Sequence, residues 1–100
     1  MIAPNKNNDN DPKFELGQVV ATPGAIEALE ESGETADTFI HRHHTGDWGD
    51  VCADDALANE EALQVGFRIL SVYHTSKSVK LYVITEEDRS STCLLLATDY

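Results

Sequence analysis

The feature that most constrains this chain is a change of period at Gly66. Upstream, apolar residues recur at helical spacing; downstream they alternate in three runs, over residues 67–73, 79–85 and 92–97. The breaks between those runs, Thr75-Ser76-Lys77-Ser78 and the polar stretch 86–90, are far too short for the roughly dozen-residue crossover that parallel neighbours require. The three runs are therefore expected to form an antiparallel meander at the C-terminal end.

The upstream half predicts one short strand and up to three helices. Val19 and Val20, with Phe14 and Leu16 ahead of Gly17, suggest a strand ending at Ala21, which adds to one edge or to the end of the sheet. Thr22-Pro23-Gly24 then starts a helix, because Thr22 can cap it and Pro23 stands where a missing N–H is harmless. Ile26 and Leu29 share one face of that helix, and Gly33 ends it. Thr35 is positioned to cap a second helix anchored by Phe39 and Ile40 and reaching His43. A third is predicted over 53–65, rich in Ala, Leu, Glu and Gln, with Gly66 as its stop. Its inward stripe reads Cys52, Ala56, Asn59 and Leu63, so a buried Asn59 needs a specific partner. The expected architecture is α+β: a three-stranded antiparallel C-terminal meander plus a short N-terminal strand, with two or three helices on one face. Residues 1–13, rich in Asn, Asp and Pro, read as a disordered tail, and 14–100 as a single domain.

Charge narrows the function classes. Eighteen acids against seven bases give a net charge of −11, the wrong sign for neutralising phosphates, so direct binding to nucleic acid is not expected. No run approaches the roughly 18 apolar residues of a membrane helix, and residues 1–12 lack the apolar core of a signal peptide. These features point to a cytoplasmic protein without membrane contact. Cys52 and Cys93 stand apart without CxxC spacing and read as reduced, partly buried thiols. The acids are not evenly spread. Between Glu27 and Glu61 there are eleven acids and one base, Arg42, leaving seven acids and six bases for everything else. That window is a solvated acidic face or an electrostatic surface for a basic partner.

The densest polar segment is His41-Arg42-His43-His44-Thr45-Gly46-Asp47-Trp48-Gly49-Asp50. His41 and His44 lie on one helical face, and Asp47 or Asp50 folding back to them would complete a divalent-metal site. Neither His-x3-His nor a cysteine pair accompanies them, and solvent-facing histidines at a helix end also suit the helix dipole. Asp47 and Asp50 can equally be read as an acid–base pair, but the chain offers no nucleophile elbow, phosphate loop or HExxH segment beside them. In the architectural reading Trp48 fills the space between helices and sheet, Gly46 and Gly49 take positive φ, and Asp47 and Asp50 accept backbone N–H groups, Asp50 as cap of the next helix. The candidate binding residues of this loop are Asp47, Trp48 and Asp50, with Asn59 beyond it. No catalytic residue and no cofactor is implied.

The order Leu16-Gly17-Gln18-Val19-Val20-Ala21-Thr22-Pro23-Gly24-Ala25, then His43 or His44 ahead of Gly46-Asp47-Trp48-Gly49-Asp50, then Asn59-Glu60-Glu61-Ala62-Leu63, resembles a family of small plasmid-related bacterial proteins. The run from Arg68 to Tyr73 and the segment Ile84-Thr85-Glu86-Glu87-Asp88-Arg89-Ser90 extend the likeness, which covers residues 14–100. Members occur in bacterial genomes and mobile elements, and some carry a label linking them to type I restriction–modification subunits. This chain has no methyltransferase cofactor-binding sequence, and the resemblance implies no established activity. Three functions are consistent with the residues. The first is a non-enzymatic protein-interaction module working through the acidic half, with a protein partner that is basic or DNA-binding. The second is an acidic DNA mimic that antagonises a restriction or other DNA-binding enzyme. The third is a metal-binding domain or small metal-dependent enzyme centred on His41, His44, Asp47 and Asp50.

Overall fold

The computed structural model describes residues 11–100, so most of the expected 1–13 tail lies outside the described residues. Lys13 is already held, its N–H donating to the His44 carbonyl at 2.9 Å. The chain then builds β1 (Gln18–Ala21), three helices, α1 (Pro23–Ser32), α2 (Ala36–His44) and α3 (Ala53–Val65), and three strands, β2 (Ile69–His74), β3 (Lys80–Thr85) and β4 (Ser91–Leu96). A single 3-10 turn, Ala97–Asp99, follows β4, beginning at the Ala97 where the sequence places the end of the last strand run.

The four strands form one mixed sheet in the order β1-β4-β3-β2. The β2-β3-β4 meander is antiparallel, with Tyr73 opposite Leu81 and Val83 opposite Leu94, while β1 lies parallel to β4, Val19 opposite Thr92. Pairing by twos sends Ile69, Ser71, Tyr73, Leu81, Val83, Thr85, Thr92 and Leu94 to one face, where they are almost wholly buried, while the opposite face holds the less completely buried Val72, Ile84 and Leu95. Ala25 and Leu29 of α1 and Phe39 and Ile40 of α2 close over it as the main core, and Trp48, Ala62 and Ile69 form a second cluster at its edge.

The local start and stop signals act largely as their chemistry dictates. Thr22 Oγ1 accepts from the Ala25 N–H at 3.3 Å, Pro23 opens α1, and Gly33 at φ 75° ends it. At α2 the expected cap differs. Thr35 makes no side-chain cap bond, its hydroxyl pairing with that of Thr38 at 3.2 Å instead. At α3 the residue before the helix is Cys52, which is exposed rather than inward, and the buried stripe consists of Asn59 and Ala62 flanked by half-buried Ala56 and Leu63. Tyr73 and Tyr82 lie in adjacent strands on opposite faces, and Tyr82 meets Tyr100 edge-on at 5.6 Å.

Candidate functional site

The segment 46–50 leaves α2 and runs along the outer edge of β2. Gly46 at φ 91° and Gly49 at φ 75° supply the left-handed conformations. Gly49 is required twice over, since a Cβ there would collide with the Val72 carbonyl oxygen and the Tyr73 ring. So close an approach lets the loop act as a partial fifth strand. The Val72 N–H donates to the Trp48 carbonyl at 3.1 Å, and the Asp50 N–H donates to the Val72 carbonyl at 2.7 Å.

Each candidate side chain has an internal partner. Asp47 accepts from Arg42 Nε at 2.7 Å and from the Gly49 N–H at 3.1 Å, and the Arg42 bond is the main reason its carboxyl titrates below the usual range. Its backbone carbonyl accepts from the Tyr73 hydroxyl at 2.5 Å, while the Arg42 guanidinium lies 4.5 Å from the Tyr73 ring centre. Burial raises the Tyr73 pKa, so the phenol stays a donor. Trp48 is 6 % exposed and donates from Nε1 to Glu60 at 2.8 Å, with Phe14 stacked 6.2 Å away. Asp50 does not cap α3; its carboxylate meets His74 Nδ1 at 2.7 Å. Asn59 bonds the strand as another strand would, Nδ2 donating to the Leu70 carbonyl at 2.7 Å and Oδ1 accepting from the Leu70 N–H at 3.1 Å.

Asp47, Trp48, Asp50 and Asn59 therefore meet at one place, the outer edge of β2, where Asn59 satisfies Leu70, the Trp48 and Asp50 backbones satisfy Val72, and the Asp47 carbonyl takes the Tyr73 hydroxyl. Their chemistry there is that of an edge guard, which blocks further strand pairing at that side. His41 is exposed and His44 half-buried, and among the described residues no group of three His, Cys, Asp or Glu side chains is placed to hold a metal ion.

One polar site was missed. His43, expected to face solvent with its neighbours, has no exposure, and both ring nitrogens bond hydroxyls, Nδ1 to Ser71 at 2.6 Å and Nε2 to Thr85 at 2.8 Å. Thr85 continues to Thr92 at 2.7 Å, and Thr92 donates to the Leu16 carbonyl at 2.8 Å. That terminal carbonyl can only accept, so the proton order is fixed. Thr92 donates to Leu16, Thr85 donates to Thr92, His43 Nε2–H donates to Thr85, and Nδ1 accepts from Ser71. Burial, with His44 and Arg89 adding to it, pushes the His43 pKa down to about 3 and keeps the ring neutral. A Ser–His pair at this distance has the form of a nucleophile and base, but neither side chain has any exposure, so no substrate reaches it. The signal was present in the sequence: His43 is four residues after Phe39, and Ser71, Thr85 and Thr92 occupy inward positions of their strands.

The acids take the opposite surface of the helical layer. Of the eleven between Glu27 and Glu61, all but Glu34 are exposed. Among the described residues, the carboxylates in ion pairs are Asp47, with Arg42, and Asp50, with His74. Among the described residues no helix is long and apolar enough to cross a membrane. Comparison with family models, curated proteins and solved structures finds no match for this chain.

Proposed function

We infer that this chain is a small cytoplasmic, non-enzymatic interaction module that presents the acidic outer surface of its helices to a basic partner protein, including the basic groove of a DNA-binding protein. The resemblance to small plasmid-related bacterial proteins fits such a role and is part of the proposal. One observation carries it: ten exposed carboxylates on the helical half, from Glu27 to Glu61, of which only Asp47 and Asp50 have ion-pair partners among the described residues. Clustered unpaired charge raises the local concentration of an oppositely charged partner and speeds encounter. The polar residues of the 46–50 loop, by contrast, are occupied within the fold.

The immobilised chain, challenged with bacterial lysate, is expected to retain a basic protein at low salt and release it as salt is raised. Replacing Glu27, Glu30 and Glu31 together with Gln should reduce that retention. If duplex DNA displaces the retained protein, the DNA-mimic form of the proposal gains support. Retention that is indifferent to both salt and the triple substitution would overturn the acidic-surface reading.

A further inference from the structure

The helix α3 buries the wrong side of its composition. Its buried positions are Asn59 and Ala62, whereas Leu57 is 68 % exposed and Val65 55 %. Ala53, Leu57, Glu61 and Val65, each four residues after the last, form one exposed row along the helix, and Phe67, 55 % exposed, follows the Gly66 stop in the chain. Isolated exposed aliphatics are ordinary, but a row that holds two of the helix's three large aliphatics, with only Leu63 turned toward the core, while an asparagine faces inward calls for a partner. The inward asparagine is already explained, since it seals β2. The outward leucine and valine have no such account inside the fold.

We propose that this row on α3 is a docking surface for a basic amphipathic helix of another protein, an assignment that rests on the acidic-surface reading and locates it. The row contains Glu61 and is flanked by Asp54, Asp55 and Glu60, all exposed, and α3 carries no base. Asp54, Asp55 and Glu61 have no ion-pair partner among the described residues, and Glu60 holds Trp48. That rim decides between occupants. A second copy would set four acids against four, so self-association through α3 is opposed by its own charge. A helix with leucines on one stripe and lysines or arginines beside it covers Leu57 and Val65 while meeting the carboxylates. The two aliphatic side chains are two turns apart, roughly 12 Å along the axis, matching anchors at comparable spacing on the partner.

The probe is an 18-residue peptide of Leu and Lys patterned at helical period, titrated into the full chain and followed by amide chemical shifts at low and moderate salt. The same pattern in Leu and Glu, and an oligolysine of equal length, are the controls. The expected result is shifts concentrated on α3 and Phe67 for the Leu/Lys peptide and none for the Leu/Glu peptide. Leu57→Ser and Val65→Ser are exposed changes that leave the core intact, and each should weaken binding about tenfold. Shifts that centre on α1 and α2, unchanged affinity in both serine variants, or a dimer through α3 would each overturn the α3 assignment while leaving the acidic-surface reading in place. If neither the Leu/Lys peptide nor oligolysine binds at low salt, both fall.

Discussion

His43 places an ionisable ring where water does not reach, and its hydroxyl partners leave it no way to gain a proton cheaply. Its folded pKa is about 3 against an ordinary 6.5, so the unfolded chain takes up a proton that the folded chain refuses. The stabilising effect is complete above pH 6.5 and declines below it by about 1.4 kcal/mol per pH unit, levelling off near the folded pKa. The depressed Asp47 and Glu34 carboxyls add their own loss as pH falls toward their ordinary 3.8 and 4.5, so the interval from pH 6.5 down to about 5.5 isolates the histidine. Denaturation midpoints across that interval should fall in the wild type and fall less in His43→Gln. Nitrogen shifts of the wild-type ring should report the Nε2–H tautomer throughout; the other tautomer would break the relay to Leu16. Trp48 is the second residue whose effect is legible from its surroundings. Trp48→Ala removes a side chain 6 % exposed together with the bond to Glu60, and should cost about 3–5 kcal/mol in chemical denaturation. The same burial should give the native indole a blue-shifted emission.

Among the elements, the two sheet edges are treated differently. β2 is sealed at Leu70 by Asn59 and at Val72 by Trp48 and Asp50, whereas β1 has its pairing partner, β4, on one side only and exposes Val19 and Val20. Amide exchange should therefore be slow at Leu70 and Val72, although they lie on an edge strand, and fast at Val19 and Ala21, which point away from β4. Asn59→Ala should remove the protection at Leu70 and cost about 1–3 kcal/mol, because one side chain satisfies both backbone groups. Much of this was open to inspection in the sequence. Alternation after Gly66 gave the meander, the Thr22-Pro23 start and Gly33 stop gave α1, and the Gly46 and Gly49 spacing gave a loop built around a buried Trp48. What could not be read were choices settled by distant partners. β1 runs parallel to β4 because three helices separate it from the meander, a long-range geometry that no local pattern encodes. Asp50 chose His74 over the helix it precedes, and Asn59 chose a strand edge, because both needs arise in β2, outside their own elements. His43 was misplaced when read with its histidine neighbours rather than with Phe39 and Ile40.

Across the whole molecule, charge and apolar packing are segregated by layer. The three helices turn Ala25, Leu29, Phe39, Ile40 and Ala62 to the sheet and leave eight carboxylates facing out, with Asp47 and Asp50 exposed in the loop between α2 and α3, while the strands and turns beyond Gly66 carry four bases, Arg68, Lys77, Lys80 and Arg89, with four acids, Glu86, Glu87, Asp88 and Asp99. Folding gathers the acids more closely than an extended chain does, so their mutual repulsion opposes the folded state. Exposed charges are screened once salt brings the Debye length down to about 10 Å, near 0.1 M. The opposing effect, loss of attractive pairs, is small: Arg42–Asp47 and His74–Asp50 are the ion pairs among the described residues, and both are exposed. The thermal midpoint should therefore rise from about 10 mM to 200 mM sodium chloride, an interval over which the Debye length falls from roughly 30 Å to below 10 Å. The Glu27, Glu30 and Glu31 triple Gln substitution should raise the midpoint at low salt and flatten the salt response, since it removes part of the repulsion directly. A midpoint that falls with salt in the wild type would mean that attraction outweighs repulsion across the helical surface. Unpaired carboxylates would then no longer be available to recruit a basic partner, and the interaction proposed for this layer would lose its driving force.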